Sequence, residues 1–243
     1  MPRTTPTVAT VVLAGGSGTR LGLSGGANKV YLPLAGRPLL SWSLRALYEA
    51  LHPVASVLVI RDGDQVDAAA AIATAQAQAP LIVVGGSSRT DSEIAGIHAL
   101  RDAIESGIID VVLVHDGARP FPPESMLVDL IRAATKHGVA VPVIPVGPGL
   151  LERPDPDAAG VLQAPTADLR AVQTPQAVIA RTLLDAADDA VAHRRSTIDT
   201  ASLVHAHRGL RAVAVDGHPD NLKVTRPEDV VRATAFATGN GRP

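Results

Sequence analysis

The chain has no cysteine. Disulfides, thiolate metal sites and a cysteine nucleophile are therefore excluded. Aromatic residues are nearly missing, at 2%, so the 46% of hydrophobic residues must build a core from Ala, Val, Leu and Ile. No apolar run approaches the ~20 residues of a membrane-spanning helix. The opening residues, Met1 to Pro6, carry no apolar signal region, and a cytoplasmic location with no membrane partner is expected. Nor is there an excess of either charge: 22 Lys and Arg stand against 24 Asp and Glu, a formal charge of −2 with no long basic run. Nucleic acid is accordingly not an expected partner. A length of 243 residues suits one large domain, and a single domain over 1–243 is expected.

What the chain does have is alternation. Short β-branched runs at 9–14, 56–60, 81–84, 111–115, 139–144 and 210–215 predict strands. Most are apolar throughout, as parallel strands covered on both faces must be. Ala- and Leu-rich stretches at 38–51, 65–78, 91–106, 123–137 and 178–193 predict helices between them, with Pro38 and Pro123 suited to first-turn positions. The order implies an α/β fold: a mainly parallel sheet with helices on both faces. Ligands then gather at the carboxyl ends of the strands. The pattern breaks over about 146–167, where Gly147, Pro148, Gly149, Pro154, Pro156, Gly160 and Pro165 crowd together. That stretch is too long for an ordinary connection; a disordered loop, a lid and an extended arm all fit it.

The first strand empties into Leu13-Ala14-Gly15-Gly16-Ser17-Gly18-Thr19-Arg20-Leu21-Gly22, with Lys29 soon after. Glycines such as Gly15, Gly16 and Gly18 let backbone N–H groups approach phosphate oxygens, and Arg20 and Lys29 add charge. The loop is not a Walker loop, because Lys29 precedes Val30 instead of Ser or Thr. It is not the dinucleotide fingerprint either, because Leu21 stands where the third glycine belongs. A phosphate site is favoured over a plain strand-to-helix turn because two cations accompany the glycines.

Other predicted strands end in functional chemistry. After 111–115 come Asp116, Gly117, Ala118, Arg119 and Pro120. Asp116 suits a divalent cation or a substrate hydroxyl and Arg119 suits phosphate; the alternative is a loop-stabilising Asp–Arg pair. His115 is either a general base or, more commonly for this residue, a buried imidazole bonded to backbone. After 81–84 the turn Gly85-Gly86-Ser87-Ser88-Arg89-Thr90-Asp91-Ser92 offers Arg89 and Ser92 as donors to a base carbonyl or phosphate, with Thr90 or Asp91 capping the next helix. After 210–215, Asp220 and Lys223 reach the same side, and Thr225 with Glu228 predicts a capping box for the last helix.

Taken together, these motifs resemble the cytidylyltransferases of the IspD/TarI type, and among them the methylerythritol phosphate cytidylyltransferases of non-mevalonate isoprenoid synthesis. The likeness rests on Leu-Ala-Gly-Gly-Ser-Gly-Thr-Arg at 13–20 with Lys29, Gly-Gly-Ser-Ser-Arg-Thr-Asp-Ser at 85–92 and His-Asp-Gly-Ala-Arg-Pro at 115–120. Ala-Val-Gln-Thr-Pro-Gln at 171–176, Asp-Thr-Ala-Ser at 199–202 and Asp-Asn-Leu-Lys-Val-Thr-Arg-Pro-Glu-Asp at 220–229 complete it. The resemblance implies a Rossmann-like nucleotidyltransferase fold and a homodimer whose arms, about 146–167, reach each other's active sites. It implies transfer of CMP from CTP to an alcohol phosphate, with Mg²⁺ and release of pyrophosphate. Arg20, Lys29 and Lys223 are then the catalytic cations. Ala14, Gly15, Gly16, Gly18, Gly86, Arg89, Ser92 and Asp116 surround CTP, with Asp116 near the metal. Arg119, Arg170, Thr174 and Asp220 serve the acceptor.

The chain departs from the family pattern mainly on the acceptor side. Pro148-Gly149-Leu150-Leu151 replaces an Asp-Thr-hydrophobic-Lys run, and Thr166 stands where an arginine reaches across the dimer, with Arg170 as a nearby substitute. Asn28 precedes Lys29 where proline is usual, and Gly117 is a lesser change. Two other readings stay open: transfer to another polyol phosphate such as ribitol 5-phosphate, and a catalytically silent nucleotide-binding paralogue.

Overall fold

The computed structural model describes residues 5–16, 28–146 and 168–239. In chain order these form β1 (Val8–Leu13), a 3-10 turn at Lys29–Tyr31, a small hairpin of β2 (Pro33–Leu34) and β3 (Arg37–Pro38), α1 (Leu39–Leu51), β4 (Ala55–Ile60), α2 (Gln65–Ala75), β5 (Leu81–Val84), α3 (Arg89–His98) and α4 (Arg101–Glu105). There follow β6 (Val111–Asp116), α5 (Glu124–His137), β7 (Val139–Pro145), β8 (Arg170–Val172), β9 (Gln176–Ile179), α6 (Ala180–His193), α7 (Thr200–Arg208), β10 (Val213–Asp216) and α8 (Pro227–Ala237).

The main sheet runs β10-β7-β9-β6-β1-β4-β5, with β8 on β7. The pairs β1–β4, β1–β6, β4–β5 and β7–β10 are parallel, and β9 is inserted antiparallel between β6 and β7. Alternate residues of each central strand feed two cores. Val12, Leu58 and Leu113 pack with Leu40, Leu47, Leu127 and Leu130 of α1 and α5. Val11, Val57, Val59, Val112 and Val114 pack on the other face with Ile97 and Leu183 of α3 and α6. Burying each such side chain is worth about 1.5–3 kcal/mol, which explains why these strands carry no polar face. Three aromatics of the α1 side stack together, Trp42 on Phe121 at 5.6 Å and Phe121 on Phe236 at 4.7 Å between centroids.

Several local expectations are corrected. The helix predicted from 178 starts at Ala180, because Val178 pairs with Val112 of β6 and Val139 of β7 and is held extended. The helix predicted over 91–106 begins at Arg89 and breaks before Arg101, where Leu100 turns into the core. That over 65–78 stops at Ala75, with Gln76 in the left-handed region at φ 56°. The strand predicted from 210 begins at Val213. Ser88, not Thr90 or Asp91, caps α3, with Asp91 as its capping-box partner. The last helix is capped one residue later than expected. Asp229, not Glu228, gathers Thr225 N, the Thr225 hydroxyl and Arg226 N on one carboxylate oxygen.

Because β1, β4, β5 and β6 run parallel, their carboxyl ends share one edge of the sheet. Chain direction reverses its progress across the sheet at β1, between β4 and β6. Open α/β sheets hold their ligands at such a switch point.

Candidate active site

A cavity of about 410 Å³ opens at that edge, where Leu13 ends β1 and Asp116 ends β6. Gly15, Gly16, Lys29, Gly86, Arg89, Ser92, Asp116 and Lys223 all reach it. Gly86 has to be glycine: a Cβ there would lie 2.3 Å from the Cβ of Asp91, which folds back to close the capping box. Ala14 is buried behind the cavity, its carbonyl accepting from Asn28 Nδ2 at 2.5 Å. Gly18 and Arg20 lie outside the described residues, as do Pro148–Leu151, Thr166 and all of the expected arm except Val146.

Lys29 is carried by the 3-10 turn and is 8% exposed; its Nζ donates to Val224 O at 2.8 Å. Val224 N in turn donates to Ala118 O at 2.9 Å. That bond pins residues 222–225 against the loop after β6 and sets Lys223 facing Asp116. The Lys223 Nζ reaches Asp116 Oδ2 at 2.6 Å, and Arg89 Nη2 stands 3.7 Å from Oδ1. Burial works to raise the Asp116 carboxyl, but the charges of Lys223 and Arg89 outweigh it and hold the group at about 2. Asp116 is therefore ionised at neutral pH. Its backbone N–H donates to the Thr174 hydroxyl at 3.0 Å; Thr174 is buried and lines neither this cavity nor the second one beside it.

His115 faces the core, fully buried. Burial lowers its pKa to about 4, and the neutral ring donates from Nε2 to Arg119 O at 2.9 Å. Of the two sequence readings, the structure gives the buried imidazole bonded to backbone. At Gly117 a Cβ would come within 2.9 Å of Leu40 Cδ1 and 3.1 Å of Leu13 O, so the turn lies flat on α1.

A second cavity of about 300 Å³ shares Lys223 with the first and is lined by Arg119, Gln173 and Arg232 among others. Arg119 is 9% exposed; Nη1 donates to Asn221 O at 2.6 Å and Nε has no hydrogen-bond partner among the described residues. Burial pulls its pKa down, although Asp116 opposes this. Arg170 is exposed and paired with Asp168 at 2.8 Å, and Asp220 is exposed beside His218. Neither lines either cavity.

Two residues that stand in the 171–176 and 220–229 motifs, but carry no predicted site role, hold this second wall together. Asn221, fully buried, donates to Thr174 O at 2.8 Å, while Gln173 Nε2 donates to His218 O at 2.9 Å and Asn221 O at 3.3 Å. These partners are 47, 45 and 48 residues apart and carry no periodic signal. Glu93, buried beneath Arg89, and Arg232 lie outside the sequence motifs altogether.

No cluster of three or more His, Asp or Glu side chains suited to a metal occurs among the described residues. Asp116 is the one carboxylate among the residues lining the first cavity. One carboxylate matches Mg²⁺ that takes its remaining ligands from water and substrate phosphates.

The family model described as 2-C-methyl-D-erythritol 4-phosphate cytidylyltransferase matches residues 8–238. A protein of that name from Symbiobacterium thermophilum is 36% identical over 222 residues, covering 91% of this chain and 89% of the relative. One from Frankia casuarinae is 37% identical, covering 97% and 83%. The crystal structure of a protein of the same name from Thermus thermophilus superposes with a TM-score of 0.71 at 30% identity, covering 96% of this chain and 99% of that one. That of 4-diphosphocytidyl-2C-methyl-D-erythritol synthase from Anaerococcus prevotii superposes with a TM-score of 0.79 over 96% of both chains; at 22% identity it bears on the fold alone.

Proposed function

The chain belongs to the 2-C-methyl-D-erythritol 4-phosphate cytidylyltransferase family, and from that premise we propose which of its residues perform each part of the reaction. The activity is transfer of CMP from CTP to 2-C-methyl-D-erythritol 4-phosphate, with release of pyrophosphate, in isoprenoid synthesis. CTP occupies the larger cavity. Its triphosphate lies against Gly15 and Gly16, with Lys29 and, by family resemblance, Gly18 and Arg20 around it. Its base lies toward Gly86, Arg89 and Ser92. The acceptor enters from the second cavity toward Arg119, Thr174 and Lys223. The observation that carries this arrangement is Lys223, which lines both cavities and is held 2.6 Å from Asp116 at their junction.

An oxygen of the acceptor phosphate attacks the α-phosphorus of CTP. That P–O bond forms as the bond from the α-phosphorus to the bridging oxygen breaks, and the electron pair leaves with pyrophosphate. A phosphate monoester has its second pKa near ~6 and is already ionised at neutral pH. The attack therefore needs no general base, which agrees with a buried, neutral His115 and an Asp116 too acidic to take a proton. What remains for the protein is to align two anions and offset their charge. Lys29 and Lys223, which line the same cavity, do this. Mg²⁺, held by Asp116 and the triphosphate, would supply further neutralisation of the phosphate charge.

A homodimer and a cytoplasmic location complete the proposal. The apolar side chains of Leu169 and Val172, 44% and 46% exposed beside the second cavity, support a partner surface there. The test of the assignment is pyrophosphate release from CTP and the acceptor with Mg²⁺. Lys29→Ala is expected to lower kcat by roughly a hundredfold while circular dichroism stays unchanged. A near-normal kcat in that variant removes Lys29 from the mechanism.

A further inference from the structure

Glu93 breaks the pattern of its helix. The buried stripe of α3 is Thr90, Glu93, Ile94, Gly96 and Ile97, and at such a position an amphipathic helix asks for an apolar residue. Glu93 is 1% exposed. A carboxylate withdrawn from water is costly unless paired and hydrogen-bonded, and this one is paired with a cation through one oxygen. Its Oε2 accepts from Arg89 Nη1 at 2.8 Å, while Oε1 has no hydrogen-bond partner among the described residues. Burial pushes its pKa up; Arg89 and the neighbouring Thr200 hydroxyl favour the ionised form, and Asp199 and Asp116 oppose it.

The partner explains the placement. Arg89 lines the nucleotide cavity, and its other terminal nitrogen stands 3.7 Å from Asp116. An exposed pair one helical turn apart would contribute little. Here one member cannot move into water, so the mobile guanidinium is drawn to a fixed anchor. The anchor is itself set, because the Thr90 hydroxyl donates to Thr197 O and accepts from Thr197 N, both at 3.0 Å, locking the start of α3 against the turn before α7.

We propose that Glu93 is the positioning residue for nucleotide binding: its buried carboxylate holds the Arg89 guanidinium aimed into the cavity before CTP arrives. This rests on the reading that the cavity takes CTP. Ordering a long side chain on binding costs affinity, and a side chain ordered in advance avoids that cost. Pairing with Glu93 also offsets the charge of Arg89. What faces the cavity is then a set of oriented N–H donors, suited to the neutral carbonyl oxygen of a pyrimidine.

The test compares wild type, Glu93→Gln, Glu93→Leu, Arg89→Ala and the double variant Arg89→Ala/Glu93→Gln, by pyrophosphate release and by CTP calorimetry. Glu93→Leu completes the apolar stripe and keeps the test open should Glu93→Gln fold poorly. Both Glu93 variants are expected to raise KM and Kd for CTP about tenfold, with kcat within about threefold and acceptor KM unchanged. In the Arg89→Ala background, Glu93→Gln is expected to add nothing, since residues acting through one contact are not additive. Wild-type CTP affinity in Glu93→Leu overturns the proposal, and so does a Glu93→Gln effect of the same size with and without Arg89. Failure of the wild-type chain to bind CTP would instead overturn the assignment of the cavity, and this proposal with it.

Discussion

His115 and Asp116 are sequence neighbours on one strand, so β alternation turns them to opposite faces. Asp116 meets two cations and stays ionised; His115 meets the core and stays neutral, its pKa lowered to about 4 from an ordinary 6.5. The difference has a consequence for stability. Between those two values the unfolded chain binds a proton that the folded chain refuses. Stability therefore falls as pH drops through this window, at about 1.4 kcal/mol per pH unit. Glu93, raised by burial, acts in the opposite sense, because its folded form takes up a proton before the unfolded chain does. A variant separates the two. His115→Gln keeps an N–H donor for Arg119 O but does not titrate. Urea midpoints at pH 7 and pH 5 are expected to show wild type losing about 2 kcal/mol more than the variant. Parallel pH slopes would mean that His115 is not the titrating group.

The element that carries Lys29 is a single 3-10 turn, too short to hold its place by its own hydrogen bonds. Asn28 holds it. Its Oδ1 accepts from Val30 N at 3.3 Å, and its Nδ2 donates to Ala14 O at 2.5 Å and to Asp64 Oδ2 at 2.8 Å. One amide thus ties the end of β1, the turn and the start of α2. Asn28→Ala leaves buried acceptors unsatisfied, and a stability loss of about 1–3 kcal/mol is expected. With Lys29 less well placed, kcat is expected to fall about tenfold while KM for CTP changes less; thermal melts and pyrophosphate release check the two effects separately. A lower melting temperature with unchanged kcat would show that the turn is positioned without Asn28. Elements differ in how far the sequence reveals them, and the reason is physical. β1, β4 and β6 are legible because strands buried on both faces must be continuously apolar and end where glycine and charge begin. β9 is not, because Gln176 to Ile179 runs into the Ala-rich α6 without punctuation, and only pairing with β6 and β7 makes it extended. The cavity loops were legible by the same strand-end chemistry. Gln173 and Asn221 stand in the sequence motifs, but their pairing into one wall was not legible, since the partners meet only through the fold. Glu93 did leave a signal, a carboxylate on an apolar stripe.

At the scale of the whole molecule, the two cavities differ in how complete they are within one chain. The nucleotide cavity is bounded by three strand-end loops and Lys223. The second is shallower in chemistry: Arg119 gives one nitrogen to Asn221 O, Arg232 is exposed, and the rim carries the exposed Val172. A dianionic phosphate requires several charge-assisted donors, each worth ~1.5–3 kcal/mol, and an exposed apolar rim gains from being covered. A second copy seated on β8 would do both, closing the rim and drawing Arg119, Lys223 and Arg232 around the acceptor phosphate. The expected outcome is a dimer at micromolar concentration by sedimentation. Val172→Asp places a charge in that surface and is expected to give monomers. Acceptor KM should then rise at least about tenfold, with KM for CTP unchanged because the nucleotide cavity needs no partner. A wild-type monomer with full activity would show that one chain closes the acceptor site alone. A monomeric variant whose acceptor KM matches wild type would separate assembly from acceptor binding.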